Sequence, residues 1–161
     1  MFKNLLAART IGMALKNLSS TETDRGIAYS ATIYHDGKKV GMFCNRGDGG
    51  CAIVELPREL ASDVIIKLKA SGFENVYSGD GTNFDDAEDS IYLEYFFEDL
   101  YTDHEMIKNM KRHLKTKTLF TMKGAEPGRY REVNAPFTPE LKAYLVNKYP
   151  DLDVIINEIA G

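Results

Sequence analysis

Polar and apolar positions alternate most cleanly over residues 27–45, in two runs joined by Asp36-Gly37. Asp-Gly supplies the two positive φ values of a type I′ turn, so this segment is predicted to be a β-hairpin. With Asp36 and Gly37 as the loop residues, His35 faces Lys38 and Ile33 faces Val40. That register places Tyr29, Ala31 and Ile33 on a core-facing side with Val40, Met42 and Cys44. Ser30, Thr32, Tyr34, Lys39 and Phe43 then share the other, half-polar face, where an exposed Phe43 beside Tyr34 would be an interface candidate.

Residues 10–18 fit alternation about as well as a helical period, and Gly12 weakens the helix, so they are read as a strand beside the hairpin. Pro57, the stripe Leu60, Ala61, Val64, Ile65 and Leu68, and Gly72 as a C-terminal cap predict a helix over about 57–71. Gly79, Gly81, Asn83, Asp85 and Asp86 mark 75–89 as a loop. Ser90 opens a helix through Ile91, Leu93, Tyr95, Phe96 and Leu100, although alternation in 91–100 also permits a strand. Thr102 with Glu105 forms a capping box, predicting a break at Tyr101-Thr102 and a second helix carrying Met106, Met110 and Leu114. A second hairpin is predicted from Thr118–Met122 and Tyr130–Val133 around a longer loop, Gly124-Ala125-Glu126-Pro127-Gly128. Thr138-Pro139-Glu140 starts a last helix that ends before Pro150, and Val154-Ile155-Ile156 reads as a final strand. The predicted fold is α+β, with an antiparallel sheet built from the hairpins at about 27–45 and 118–133 and three to four helices packed on it. No linker or repeat interrupts the chain, which reads as a single domain over 1–161.

Composition agrees with a globular chain. Of 161 residues, 43% are hydrophobic and 27% charged, enough apolar material for a core without disulfide or metal. No apolar run reaches membrane-spanning length, and Arg9 interrupts the stretch after Met1 before it resembles a secretory leader. A cytoplasmic location is therefore expected. Cys44 and Cys51 have the spacing of neither a disulfide framework nor a zinc site, and are read as reduced thiols.

Charge is segregated. Residues 74–105 hold eleven acidic residues and no Lys or Arg, whereas 108–131 hold eight basic residues and one acidic, Glu126. Such runs are most often solvated helix faces, here Glu94, Glu98, Asp99 and Asp103 followed by Lys108, Lys111, Arg112 and Lys115. The functional alternative is an acidic, aromatic partner-binding face of Tyr92, Glu94, Tyr95, Glu98, Asp99 and Asp103 that docks on a basic surface of a host protein, including one that normally holds DNA or RNA. Lys111, Arg112, Lys115 and Lys117 form a basic cluster, but a pI near 5.4 lacks the bulk charge of most nucleic-acid binders, so sequence-specific DNA recognition is disfavoured.

Asn45-Arg46-Gly47-Asp48-Gly49-Gly50-Cys51 follows a strand, and its glycines could converge backbone N–H groups into an anion nest. This gives a second reading, a nucleotide or small-anion binder using Gly47, Gly49 and Gly50 with Arg46, Lys38 and Lys39 as counter-charges. The loop matches neither the dinucleotide fingerprint nor the P-loop, and a connecting loop that needs positive φ explains it equally well. His35, His104 and His113 lack ligand spacing, the acids Asp85, Asp86, Glu88 and Asp89 lack the pattern of an EF-hand loop, and no base neighbours Cys51 in sequence. No catalytic residue, metal or cofactor is therefore assigned.

Two segments carry a likeness. Ala31 to Lys39 with Asn45 to Gly50, and Lys117 to Gly124 ahead of Phe137 to Lys142, resemble a set of uncharacterised small proteins encoded by bacteriophages and prophages. The resemblance implies a context and no transferable site. The expectation is a non-enzymatic phage-type accessory protein that binds a host macromolecule and inhibits a host defence system.

Overall fold

A computed structural model describes residues 2–126 and 128–161. Met1 and Pro127, the latter in the loop expected for the second hairpin, lie outside the described residues. Among the described residues the architecture is α+β, with an antiparallel four-stranded sheet, a three-stranded sheet and five helices. The chain divides into two compact units, Phe2–His104 and Glu105–Gly161.

The first unit is organised around the Asp36-Gly37 turn. Both residues have positive φ, 47° and 78°, and join β2 (Gly26–His35) to β3 (Lys38–Asn45). His35 pairs with Lys38, as the turn requires. The register then slips. Tyr34 pairs with Lys39 but Ile33 pairs with Gly41, so Val40 is a bulge. One inserted residue turns the rest of β3 over, because side chains alternate faces with a period of two. The core face predicted for β3 is thus corrected: Phe43 is 0% exposed and Met42 42%. Two features favour the slip. Phe43 reaches the rings of Phe97 and Tyr29, at 5.9 and 5.8 Å, and buries a larger apolar surface than Met42 would. Gly41, having no Cβ, also lets the backbone at Glu55 approach β3. Phe43 therefore forms no exposed patch with Tyr34.

Of the segment read as a strand, 10–18, residues from Met13 on are one, whereas Thr10 ends a helix and Ile11 and Gly12 turn the chain. β1 (Met13–Thr23) pairs antiparallel with β2 and buries Met13 and Leu15. Gly12, with φ of 74°, ends a helix that the sequence reading did not anticipate, α1 (Lys3–Thr10). β4 (Ile53–Glu55), also unanticipated, completes the order β1-β2-β3-β4. α2 (Arg58–Ala70) follows Pro57, stops before Gly72 and buries Val64, Ile65 and Leu68.

The break expected at Tyr101-Thr102 is absent. α3 runs unbroken from Asp89 to Leu114. Thr102 does not cap, since its hydroxyl donates to the Glu98 carbonyl four residues back, 3.0 Å away. Leu100 and Tyr101 are buried, so tertiary packing holds the helix together where local chemistry suggested an end. The division between the two units falls inside α3, after His104.

In the second unit, β5 (Thr118–Met122) and β6 (Arg131–Val133) form the expected hairpin. They lie in their own sheet, ordered β6-β5-β7, with β7 (Leu152–Ile155). Thr138 caps α4 (Pro139–Lys148) by accepting from the Leu141 N–H. Ile156, expected in the last strand, instead begins α5 (Ile156–Ala160). Phe120, Leu145 and Ile155 form the core, flanked by Leu141, Tyr149 and Leu152.

Candidate functional site

The acidic half of α3 does not present a solvated face. Glu94 accepts from the Ala52 N–H at 3.1 Å, and Glu98 from the Tyr29 hydroxyl at 2.7 Å. Asp99 accepts from both the N–H and the hydroxyl of Ser78, and Asp103 from the Leu5 N–H at 3.1 Å. Charged acceptors make stronger hydrogen bonds than neutral ones, so four carboxylates tie a strand residue, two loops and α1 to one helix. Asp99 is 4% exposed, Tyr92 is fully buried, and Glu94, Tyr95, Glu98 and Asp103 are half-buried. This corrects the solvated-face reading. None of the six residues expected to contact a partner is exposed.

Electrostatics follow from this burial. Burial, with Glu98 adding to it, raises the Tyr29 phenol, and burial pushes Tyr92 up to about 12. Burial also lifts the Asp103 carboxyl to about 6, although the Leu5 N–H opposes the shift. Tyr95 stacks on Phe84 with centroids 3.8 Å apart and meets Tyr77 edge-on at 4.9 Å, so its ring is committed to packing.

The free negative charge lies just upstream. Asp80, Asp86, Glu88 and Asp89 are exposed, and among the described residues none of them takes part in an ion pair. Ile91 beside them is 38% exposed. The segment is held in place. Asp80 accepts from the Thr82 N–H at 2.9 Å, which keeps its carboxyl below the usual range. Asp85 accepts from the Asn75 N–H at 2.8 Å, and buried Asn75 donates to the Tyr92 carbonyl at 2.8 Å.

The Gly-rich loop uses its own donors. The Gly47 N–H donates to Asn45 Oδ1 at 2.8 Å and the Gly50 N–H to Asp48 Oδ1 at 3.0 Å, which places a carboxylate where an anion nest would need N–H groups. Gly47 is required for contact, since a Cβ there would meet the backbone of Ile27 and Ala28. Arg46, Lys38 and Lys39 are exposed, but the two lysines stand at the opposite end of β3, on the order of 20 Å from Gly47, Gly49 and Gly50. They do not converge with the loop.

Cys51 is exposed and Cys44 half-buried, both as free thiols. His104 Nε2 is buried without a hydrogen-bond partner among the described residues, and burial holds its imidazole below the usual range. Among the described residues no group of His, Cys, Asp or Glu is placed to hold a metal ion, and no helix is long and apolar enough to cross a membrane.

No protein-family model, curated protein or solved structure matches the chain.

Proposed function

We propose that this is a non-enzymatic, phage-type accessory protein that binds a basic surface of a host protein, of the kind that normally holds DNA or RNA, and so blunts a host defence. The contact residues are Asp80, Asp86, Glu88, Asp89 and Ile91, and not the acids farther along α3. The observation that carries this reading is the pairing state of the acids: Glu94, Glu98, Asp99 and Asp103 are spent on internal hydrogen bonds, whereas these four are exposed and, among the described residues, free of ion pairs. Complementary charge speeds encounter, and Ile91 offers an apolar anchor at the rim. Because Asp80, Asp85 and Asn75 already order the segment, little conformational entropy is lost on docking.

Affinity capture from bacterial lysate at low and high salt tests the reading, with Asp80, Asp86, Glu88 and Asp89 all replaced by Lys in a parallel sample. One dominant host protein, lost both at high salt and with the substituted chain, is expected. Equal capture by the substituted chain would remove this segment from the account.

A further inference from the structure

The second unit contains a cleft that the reading above does not use. Lys111, Leu114, Lys115, Pro136, Phe137, Asn157, Ala160 and Gly161 line an open cleft of about 390 Å³. We propose that this cleft binds a small amphipathic carboxylate, with its anionic head between Lys111 and Lys115 and its apolar body on Leu114, Pro136 and Phe137.

Lys111 lies in the last turn of α3 and Lys115 directly follows its last residue, Leu114, so the end of the helix and the turn after it bring both lysines to the lining of the cleft. Both are exposed, and among the described residues neither enters an ion pair, unlike Lys108 and Lys117, which are occupied by Glu105 and Glu132. Lysine stems can lie along an apolar wall while the ammonium groups stay wet, which sets two cations at the rim and leaves the interior to carbon. Phe137 packs from behind on the core of Phe120, Leu145 and Ile155, so the floor is part of the fixed structure.

Asn157 frames the cleft without being a contact for the ligand. Its amide nitrogen donates to the carbonyls of Leu114 and Lys117 at 3.1 and 2.9 Å, and its oxygen accepts from the Leu119 N–H at 2.8 Å. With both amide N–H donors engaged, it fixes α5 against the end of α3 and has no free donor for a ligand. Charge at the rim and carbon within remain as the recognising elements. An open apolar cleft with cationic side chains in its lining suits a ligand that carries an anionic head on an apolar body.

Octanoate is the probe, titrated into the full chain by calorimetry and by two-dimensional amide NMR. Acetate carries the charge without the chain, and octanol the chain without the charge. Octanoate should bind more tightly than either and move the resonances of Leu114, Phe137 and Ala160. The double variant Lys111→Ala with Lys115→Ala touches only exposed side chains and keeps its circular dichroism, and its affinity should fall about tenfold. Ala160→Phe fills the cleft and should abolish binding while both lysines remain. Octanoate binding no tighter than acetate, or unchanged affinity in the double lysine variant, would overturn the proposal.

Discussion

Removing the Asp99 carboxylate should destabilise the first unit although the residue sits in what reads as a charge run. Asp99 is 4% exposed and receives two hydrogen bonds, from the backbone and the hydroxyl of Ser78. A hydrogen bond to a charged acceptor contributes about 1.5–3 kcal/mol. Ser78 is itself exposed, so water re-solvates its freed donors, and the lower end applies, giving about 3 kcal/mol for Asp99→Ala. For a chain of this size each kcal/mol moves the melting temperature by about 2–4 °C, so a fall of about 6–12 °C is expected. Asp99→Asn retains an oxygen acceptor without the charge and should lose about half as much. Urea unfolding followed by near-ultraviolet circular dichroism reads the change, with Asp86→Ala as the exposed control, expected within about 0.5 kcal/mol of the parent. Asp99→Ala no more destabilising than Asp86→Ala would refute the argument that helix acids act as internal tethers.

Asp103 supplies a pH test. Its folded carboxyl titrates near 6, above the ordinary value of about 3.9, so the folded chain holds this proton more tightly than the unfolded chain. Its contribution to stability therefore declines as pH rises from about 4 to about 6 and returns on acidification. Asp103→Asn should remove that slope, so the difference between parent and variant, on the order of 1 kcal/mol across the window, is read from urea midpoints at several pH values. A constant difference from pH 4 to pH 7 would be inconsistent with the buried carboxyl. Gly41→Ala forces a Cβ onto the Glu55 carbonyl, where only backbone can move, and should cost more than about 2 kcal/mol and loosen β4. Hydrogen exchange at Val54 and Glu55 as slow as in the parent would contradict that.

Where local chemistry decides, the sequence reading and the structure agree. Asp36-Gly37 dictated a turn, Thr138-Pro139 a helix start, and Pro57 with Gly72 the limits of α2. The differences arise where distant contacts decide. The bulge at Val40 depends on β4 coming close to Gly41 and on Phe43 meeting Phe97, and neither is visible in the alternation of β3. Thr102 and Glu105 satisfy a capping rule, but burial of Leu100 and Tyr101 keeps α3 continuous. The acids of α3 read as solvated because their partners, Leu5, Tyr29, Ala52 and Ser78, are far away in sequence. Their spacing held one usable signal: Glu94 with Glu98, and Asp99 with Asp103, lie four apart among Tyr92, Phe96, Phe97 and Leu100, too close to an apolar stripe to be solvated throughout.

The placement of the proposed binding surface is tested most directly by amide hydrogen exchange on the chain alone and in complex with a protein recovered by affinity capture. The account predicts that slowing on binding concentrates in residues 80–91 and that the acidic positions 94–103 of α3, already hydrogen-bonded within the fold, are unchanged. Slowing confined to other segments, with 80–91 exchanging as in the free chain, would contradict it.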